Sequence, residues 1–228
     1  DTTASIAMRW ANFFRLLGFD VYPAQNMLYP NTDDLAQVER WLRMHAIDMQ
    51  QPVLVVHPGC AVYKSEHALR ESLRYWRREN YLELFSSLPD TVQIILTGIA
   101  PSEIIENTKI KQLSPRYTTV FDIDNVRALA SLITKADLLL TLDTGALHIG
   151  AATHTPIVTL FGPTTPAKYG PYRDNITHVM AADHPPCWPC DHNATCNGNN
   201  ICMHDIKPQA VLRGIYETIE NKDPKWLI

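Results

Sequence analysis

Several common signatures are missing from this 228-residue chain, and each absence narrows the field. No stretch approaches the roughly 20 consecutive apolar residues that a bilayer-spanning helix needs. No glycine-rich GxGxxG follows any apolar run, which removes the nicotinamide and flavin fingerprint, and the P-loop pattern is absent as well. Formal net charge is −4 with no block of like charge, so neither a nucleic-acid platform nor an electrostatic attachment to anionic lipid is expected. The cysteines number five, an odd count that does not read as a secreted disulfide framework. Internal repeats and low-complexity segments are lacking too. The opening DTTASIAMRW has no initiator Met and no basic stretch leading into an apolar one. The expectation is that something precedes these residues, and that they are the C-terminal portion of a longer protein.

What is present is enough for a substantial core, since 46% of the residues are hydrophobic. The first fifty residues read as helical. SIAMRWANFFRLLGF puts Ile6, Trp10, Phe13 and Leu17 on one stripe and ends at Gly18, a plausible helix stop. NTDDLAQVERWLRMHAI opens with the cap candidates Asn31 and Thr32 and with acids in its first turn. From Pro52 onward short apolar runs alternate with helices. VLVVH (53–57), VQIILTG (92–98), TTVFD (118–122), DLLLTL (137–142) and PIVTLFG (156–162) are strand candidates. Helical segments separate them, and KPQAVLRGIYETIEN closes the chain as an amphipathic helix with Val211, Leu212, Ile215 and Ile219 on its face. Near-continuous apolar strands between helices predict a parallel sheet covered on both faces, an α/β doubly wound, Rossmann-like domain. Residues 52–228 are assigned to that domain, and residues 1–51 to a helical connector or the end of a preceding domain.

In such a sheet the ligand lies beyond the carboxyl ends of the strands. The tips are HPGCAVYK (57–64), LTGIAPSE (96–103), DTGALH (143–148) and FGPTTPAKYGP (161–171), all rich in small, turn-forming and hydrogen-bonding residues. Thr144, Gly145 and Ala146 would open a helix whose free N–H groups suit an anion, phosphate above all. Plainer readings stand beside this one. Asp143-Thr144-Gly145 could be only a helix cap, His148 a packed core histidine, Lys64 and Arg74 solvated charges, and Glu103 an ordinary acid at a helix start.

The stretch ADLLLTLDTGALHIGAATHTPIVTLFGPTTPAKYGP closely resembles the signature of glycosyltransferase family 9, the ADP-heptose:lipopolysaccharide heptosyltransferases and their relatives. There a strand leads into D-[ST]-G-x-x-H, then small residues, then P-x-V-x-L-F-G-P-T-x-P. HPG at 57–59, LTGIAPSE at 96–103 and the cysteine run at 187–206 follow the same order. The resemblance implies a GT-B architecture of which this is the C-terminal, donor-binding half. It implies that Asp143, Thr144, Gly145, Ala146 and His148 form the nucleotide-sugar motif and that Glu103 looks toward the nucleotide. The family's basic residue, commonly in Lys-x-Trp, matches Arg74 ahead of Trp76, or Lys64 if the segment SEHALRESL is an insertion.

The implied reaction is an inverting transfer of a sugar, a heptose from an ADP-heptose-like donor, to a lipid-linked saccharide of lipopolysaccharide type. It would take place in the cytoplasm at the inner membrane, with no cofactor required for catalysis. Its base is implied to lie in an N-terminal domain that these residues do not include. Two rivals remain open: a GT-B-fold sugar-nucleotide epimerase or hydrolase drawing on His57, His148 and Glu103, and a non-catalytic nucleotide-sugar-binding module. Cys60 stands alone, while Cys187, Cys190, Cys196 and Cys202 have C-x2-C-x5-C-x5-C spacing. Four thiolates suffice for a structural zinc site, though the last two spacings are not those of a standard ribbon. Reduced thiols or loop disulfides, and an iron–sulfur cluster, are the alternatives.

Overall fold

The computed structural model describes residues 5–23, 27–59, 72–98, 100–114, 118–122, 125–191, 200–219 and 226. Six parallel strands form one sheet in the order β3-β2-β1-β4-β5-β6. They are β1 (Val53–His57), β2 (Gln93–Gly98), β3 (Thr118–Asp122), β4 (Leu138–Leu142), β5 (Ile157–Leu160) and β6 (Ile176–Val179). Alternation along β1 separates two cores, as a pleated strand requires. Leu54 and Val56 join Trp76, Tyr81, Phe85, Val211 and Ile215 on one face. Val53 and Val55 join Val38, Leu129, Leu139 and Leu147 on the other. This is the Rossmann-like sheet expected from the apolar runs.

The helices are α1 (Ile6–Leu16), α2 (Thr32–Met44), α3 (Arg78–Ser86), α4 (Pro101–Leu113), α5 (Val126–Lys135), α6 (Gly145–Ala151), α7 (Pro166–Tyr169), α8 (Ile201–His204) and α9 (Pro208–Ile219). Their ends follow local chemistry. Asn31 accepts a hydrogen bond from the Asp34 N–H at 2.8 Å and Asn125 one from the Ala128 N–H at 2.8 Å, each covering an orphan donor of a first turn. Gly18 takes a left-handed φ of 87° to end the turn after α1, which L side chains resist. Helix α9 packs on β5, β6 and α3, α4 on β2 and β3, and α2 on α5.

Helix α1 and two of the strands hold details that the sequence pattern does not carry. The stripe on α1 is not buried: Ile6, Trp10, Phe13 and Leu17 are all exposed, and only Ala11 of the helix is buried. Periodicity reports that a face is apolar, not that these residues contain its partner. Strand β6 was not anticipated. It is a four-residue edge strand of mixed burial, ITHV, too short and too polar to stand out. The run PIVTLFG also ends as a strand at Leu160, with Phe161 and Gly162 beginning the next turn.

Candidate functional site

Strand order reverses direction between β1 and β4, so the tips of these two strands open the crevice that an open α/β sheet offers a ligand. On the β1 side the crevice is filled by protein. His57, the last residue of β1, is buried and its Nδ1 lies 3.0 Å from Thr97 Oγ1 of β2. The Thr97 hydroxyl also donates to the Val56 carbonyl at 3.3 Å, which ties the β1 and β2 tips together. Burial holds the imidazole below its ordinary range, partly offset by the Glu103 carboxylate.

Glu103 itself is buried at the start of α4, where its Oε2 accepts the Ala100 N–H at 3.1 Å. A carbon added at Gly59 would sit 2.1 Å from Glu103 Oε1, and one at Gly98 2.9 Å from Glu103 Cβ. The acid is wedged between two strand tips that only glycine permits. The motif acid is therefore more enclosed than a solvated helix-start residue.

The segment after the undescribed residues 60–71 crosses to β4 and is firmly held. Trp76 is buried and its Nε1–H donates to the Ile206 carbonyl at 2.9 Å. The Asn200 side-chain amide reaches the carbonyls of Ser72 and Leu73 at 3.1 and 3.2 Å. This anchoring aims Arg74, whose Nη1 donates to the Asp143 carbonyl at 2.6 Å. Arg74 thus joins the motif, while Lys64 lies outside the described residues.

At the β4 tip, Asp143 is buried and its Oδ2 accepts from the Thr164 hydroxyl at 2.6 Å. Thr144 is the N-cap of α6 in extended conformation, and its hydroxyl makes no cap bond. Thr144 Oγ1 and Arg74 Nε are both buried without a hydrogen-bond partner among the described residues. Gly145 is exposed, Ala146 is buried in the second core, and a carbon added at Gly145 would meet nothing within 4 Å. His148 is exposed at the edge of a cavity of about 380 Å³, so the packed-core reading of this residue does not hold. Arg173 ties the far end of α6 by donating to the carbonyls of Gly150 and Thr155, both at 2.9 Å. Sequence reasoning missed Thr164, Asn200 and Arg173. Of these only Thr164, inside FGPTTP, carried any local signal.

The cysteine loop docks on the turn that follows β5. The Cys190 N–H donates to the Pro163 carbonyl at 3.1 Å and the Trp188 indole N–H to Gly162 at 2.8 Å. Cys202 is buried, Cys190 half-buried and Cys187 exposed. Cys60 and Cys196 lie outside the described residues. Among the described residues, no three His, Cys, Asp or Glu side chains stand close enough to hold a metal ion. No described helix is long and apolar enough to cross a membrane.

A sequence model of glycosyltransferase family 9 (heptosyltransferase) matches residues 22–200, which include both strand tips and the α6 motif. The chain belongs to this family. Lipopolysaccharide heptosyltransferase 1 of Escherichia coli K12 is 30% identical to it over 112 residues, or 48% of this chain and 34% of that protein. The crystal structure of the glycosyl transferase family 9 from Veillonella parvula matches 96% of this chain and 61% of its own, with a TM-score of 0.78 at 19% identity. E. coli heptosyltransferase WaaC with ADP gives a TM-score of 0.57 at 22% identity, over 77% of this chain and 47% of that one. At such identities the structural likenesses establish the shared fold. The chain spans about a third of the length of the curated relatives it matches.

Proposed function

We propose that this chain is the donor-binding part of an inverting glycosyltransferase that moves a heptose from ADP-heptose to a lipopolysaccharide-type acceptor. Family membership supports the reaction class, and the E. coli relative named as a lipopolysaccharide heptosyltransferase supports the acceptor class. The WaaC structure with ADP makes ADP the nucleotide to test first. Residues 1–51 are read as the connector to a preceding domain, and residues 52–228 as the donor domain. The setting is the cytoplasmic side of the membrane that carries the acceptor.

The observation that carries the donor site is the pair of unsatisfied groups beside Asp143. Thr144 Oγ1 and Arg74 Nε have hydrogen-bonding capacity and no described partner. A buried polar group without a partner is costly, by about 1–3 kcal/mol, and a bound diphosphate would supply the missing acceptors. As the bond to the anomeric carbon breaks, negative charge grows on the leaving diphosphate. The N–H groups of residues 144–146 and the Arg74 guanidinium are already aimed and need little reorganisation to meet that charge. Asp143 contributes through its bonds to Thr164 and Arg74, which set the turn. Glu103 approaches the nucleotide from the β2 tip. The base that deprotonates the acceptor hydroxyl is assigned, by family resemblance, to an acid outside these residues.

Calorimetric titration of ADP, UDP, GDP and CMP into this chain tests the reading. ADP should bind saturably, and Asp143→Ala and His148→Ala should each weaken it about tenfold or more, in line with loss of a charge-assisted or orienting contact. If ADP binds no better than the other nucleotides, or if both variants bind it normally, the donor site is not at the β4 tip.

A further inference from the structure

The cysteine loop is clamped to the same turn that bonds Asp143. The Trp188 indole N–H donates to the Gly162 carbonyl at 2.8 Å. The N–H groups of Cys190 and Asp191 share the Pro163 carbonyl at 3.1 and 3.0 Å. The Asp191 carboxylate then pairs with the Lys168 ammonium of α7. The next residue of the turn, Thr164, carries the hydroxyl that bonds Asp143 Oδ2 at 2.6 Å. Elsewhere the turn rests on the core: a carbon added at Gly162 would fall 2.3 Å from Met203 Sδ and 3.5 Å from Cys202 Sγ of α8. We propose that Cys187 and Cys190 form a thiol–disulfide modification site, oxidised by a small disulfide such as oxidised glutathione, whose state sets how firmly this turn holds Asp143.

Cys187 is exposed and Cys190 half-buried, and the chain bends at Pro189 between them. An accessible cysteine with a second one three positions on supplies an attacking and a resolving thiol. Cys202 is buried beneath the turn and is not open to the same attack. The Cys187 thiolate attacks one sulfur of oxidised glutathione, forming a mixed disulfide and releasing one glutathione thiolate. The Cys190 thiolate then attacks the Cys187 sulfur, closing the ring and releasing the second. Two thiols are oxidised and one glutathione disulfide is reduced to two thiols, which take up the two protons. In the cytoplasmic setting proposed above such a bond is transient, which suits a sensor and not a structural staple.

The route to Asp143 is short. A disulfide confines the Cα and Cβ atoms of Cys190 to a narrow geometry. The N–H of that same residue is one of the two that hold Pro163, immediately before Thr164. Closing the ring therefore acts on the clamp itself, and through Thr164 on the tip of β4.

The full chain is equilibrated with reduced and oxidised glutathione, quenched and peptide-mapped. Hydrogen exchange of the Cys190 and Asp191 amides and the affinity for ADP are then measured on each form, with Cys187→Ser alongside. The expected product is a Cys187–Cys190 bond that dithiothreitol reverses and that Cys187→Ser cannot form. In the disulfide form both amides should exchange faster and ADP should bind about fivefold more weakly, the low end of coupling between linked sites. Linkage is reciprocal, so saturating ADP should disfavour the disulfide by the same factor. Cys187→Ser should bind ADP as the dithiol protein does and should ignore the oxidant. The ADP arm rests on the donor-site reading: if neither form binds ADP while the bond forms and both amides loosen, that reading falls and the modification site stands. The proposal is overturned if glutathione links other cysteines or none, if the two amides exchange equally in both forms, or if both forms bind ADP equally well.

Discussion

Gly59 and Gly145 occupy the tips of adjacent strands, β1 and β4, under opposite constraints. At Gly59 a side-chain carbon would fall 2.1 Å from Glu103 Oε1 and 2.4 Å from its carboxyl carbon. At Gly145 the same carbon would meet nothing within 4 Å. The first glycine is required by the protein's own packing, because a buried acid fills the space in front of it. The second is not required by any described neighbour, and beside it two polar atoms lack partners. A glycine in a strand-tip turn therefore has two meanings. It can admit a piece of the same chain, or it can keep room that the chain does not use.

Breaking the first tip should have the largest effect on stability. Gly59→Ala must push Glu103 off its Ala100 N–H, at a cost of about 2 kcal/mol for overpacking a closed site. Chemical denaturation should report this as a lower midpoint with an unchanged slope. Wild-type stability would mean that Glu103 swings away freely and that the wedge is loose. Arg74→Met comes next. It removes the guanidinium that spans from the post-β1 segment to the Asp143 carbonyl, and should cost about 1 kcal/mol because the residue is only half-buried. A variant as stable as wild type would mean that the bond to Asp143 adds nothing to the fold.

The asymmetry between the tips was only half legible in the sequence. Apolar runs such as VLVVH and DLLLTL announce strands buried on both faces, and DTGALH announces a special turn, because both signals are local. What Asp143 touches is not local. Its carbonyl partner, Arg74, is 69 positions away, and Arg74 is aimed by a segment that Asn200 grips from 128 positions away. No spacing rule encodes contacts that depend on how the sheet is wound. Helix α1 makes the same point from the other side. Its stripe has the period of a core-facing helix, like that of α9, yet Trp10 stays 60% exposed while Val211 and Ile215 of α9 are fully buried. Pattern identifies a face that needs covering, and only the fold says whether the cover lies within these residues.

The β1 tip should also be recognisable by titration. His57 is held below its ordinary value of 6.5 chiefly by burial, with Glu103 opposing. A histidine that is neutral when folded binds fewer protons than the unfolded chain does below that value. Its stabilising effect is complete above pH 6.5 and is lost as pH falls toward the depressed folded value. His178 and His204 are lowered as well and act in the same direction, so the difference between variant and wild type is the readout. Stability measured at pH 7.5, 6.5 and 5.5 should fall less steeply in His57→Asn than in wild type. Identical slopes would mean that the β1-tip imidazole is not held neutral by its enclosure.

Gly145→Ala should be the smallest perturbation of the fold and the sharpest test of the contrast. Its backbone is not in the left-handed region and the added carbon has open space, so replacement should leave stability unchanged or raise it by about 0.5 kcal/mol. The same carbon would stand at the turn where a diphosphate is proposed to meet the N–H groups of residues 144–146. ADP affinity should then fall while the melting temperature holds, separating ligand room from packing room in a single variant. Normal ADP binding in Gly145→Ala would place the diphosphate elsewhere and leave the open turn as a simple helix start. Destabilisation of the kind expected at Gly59 would mean that the β4 tip is filled by protein after all, and the contrast between the two glycines would disappear.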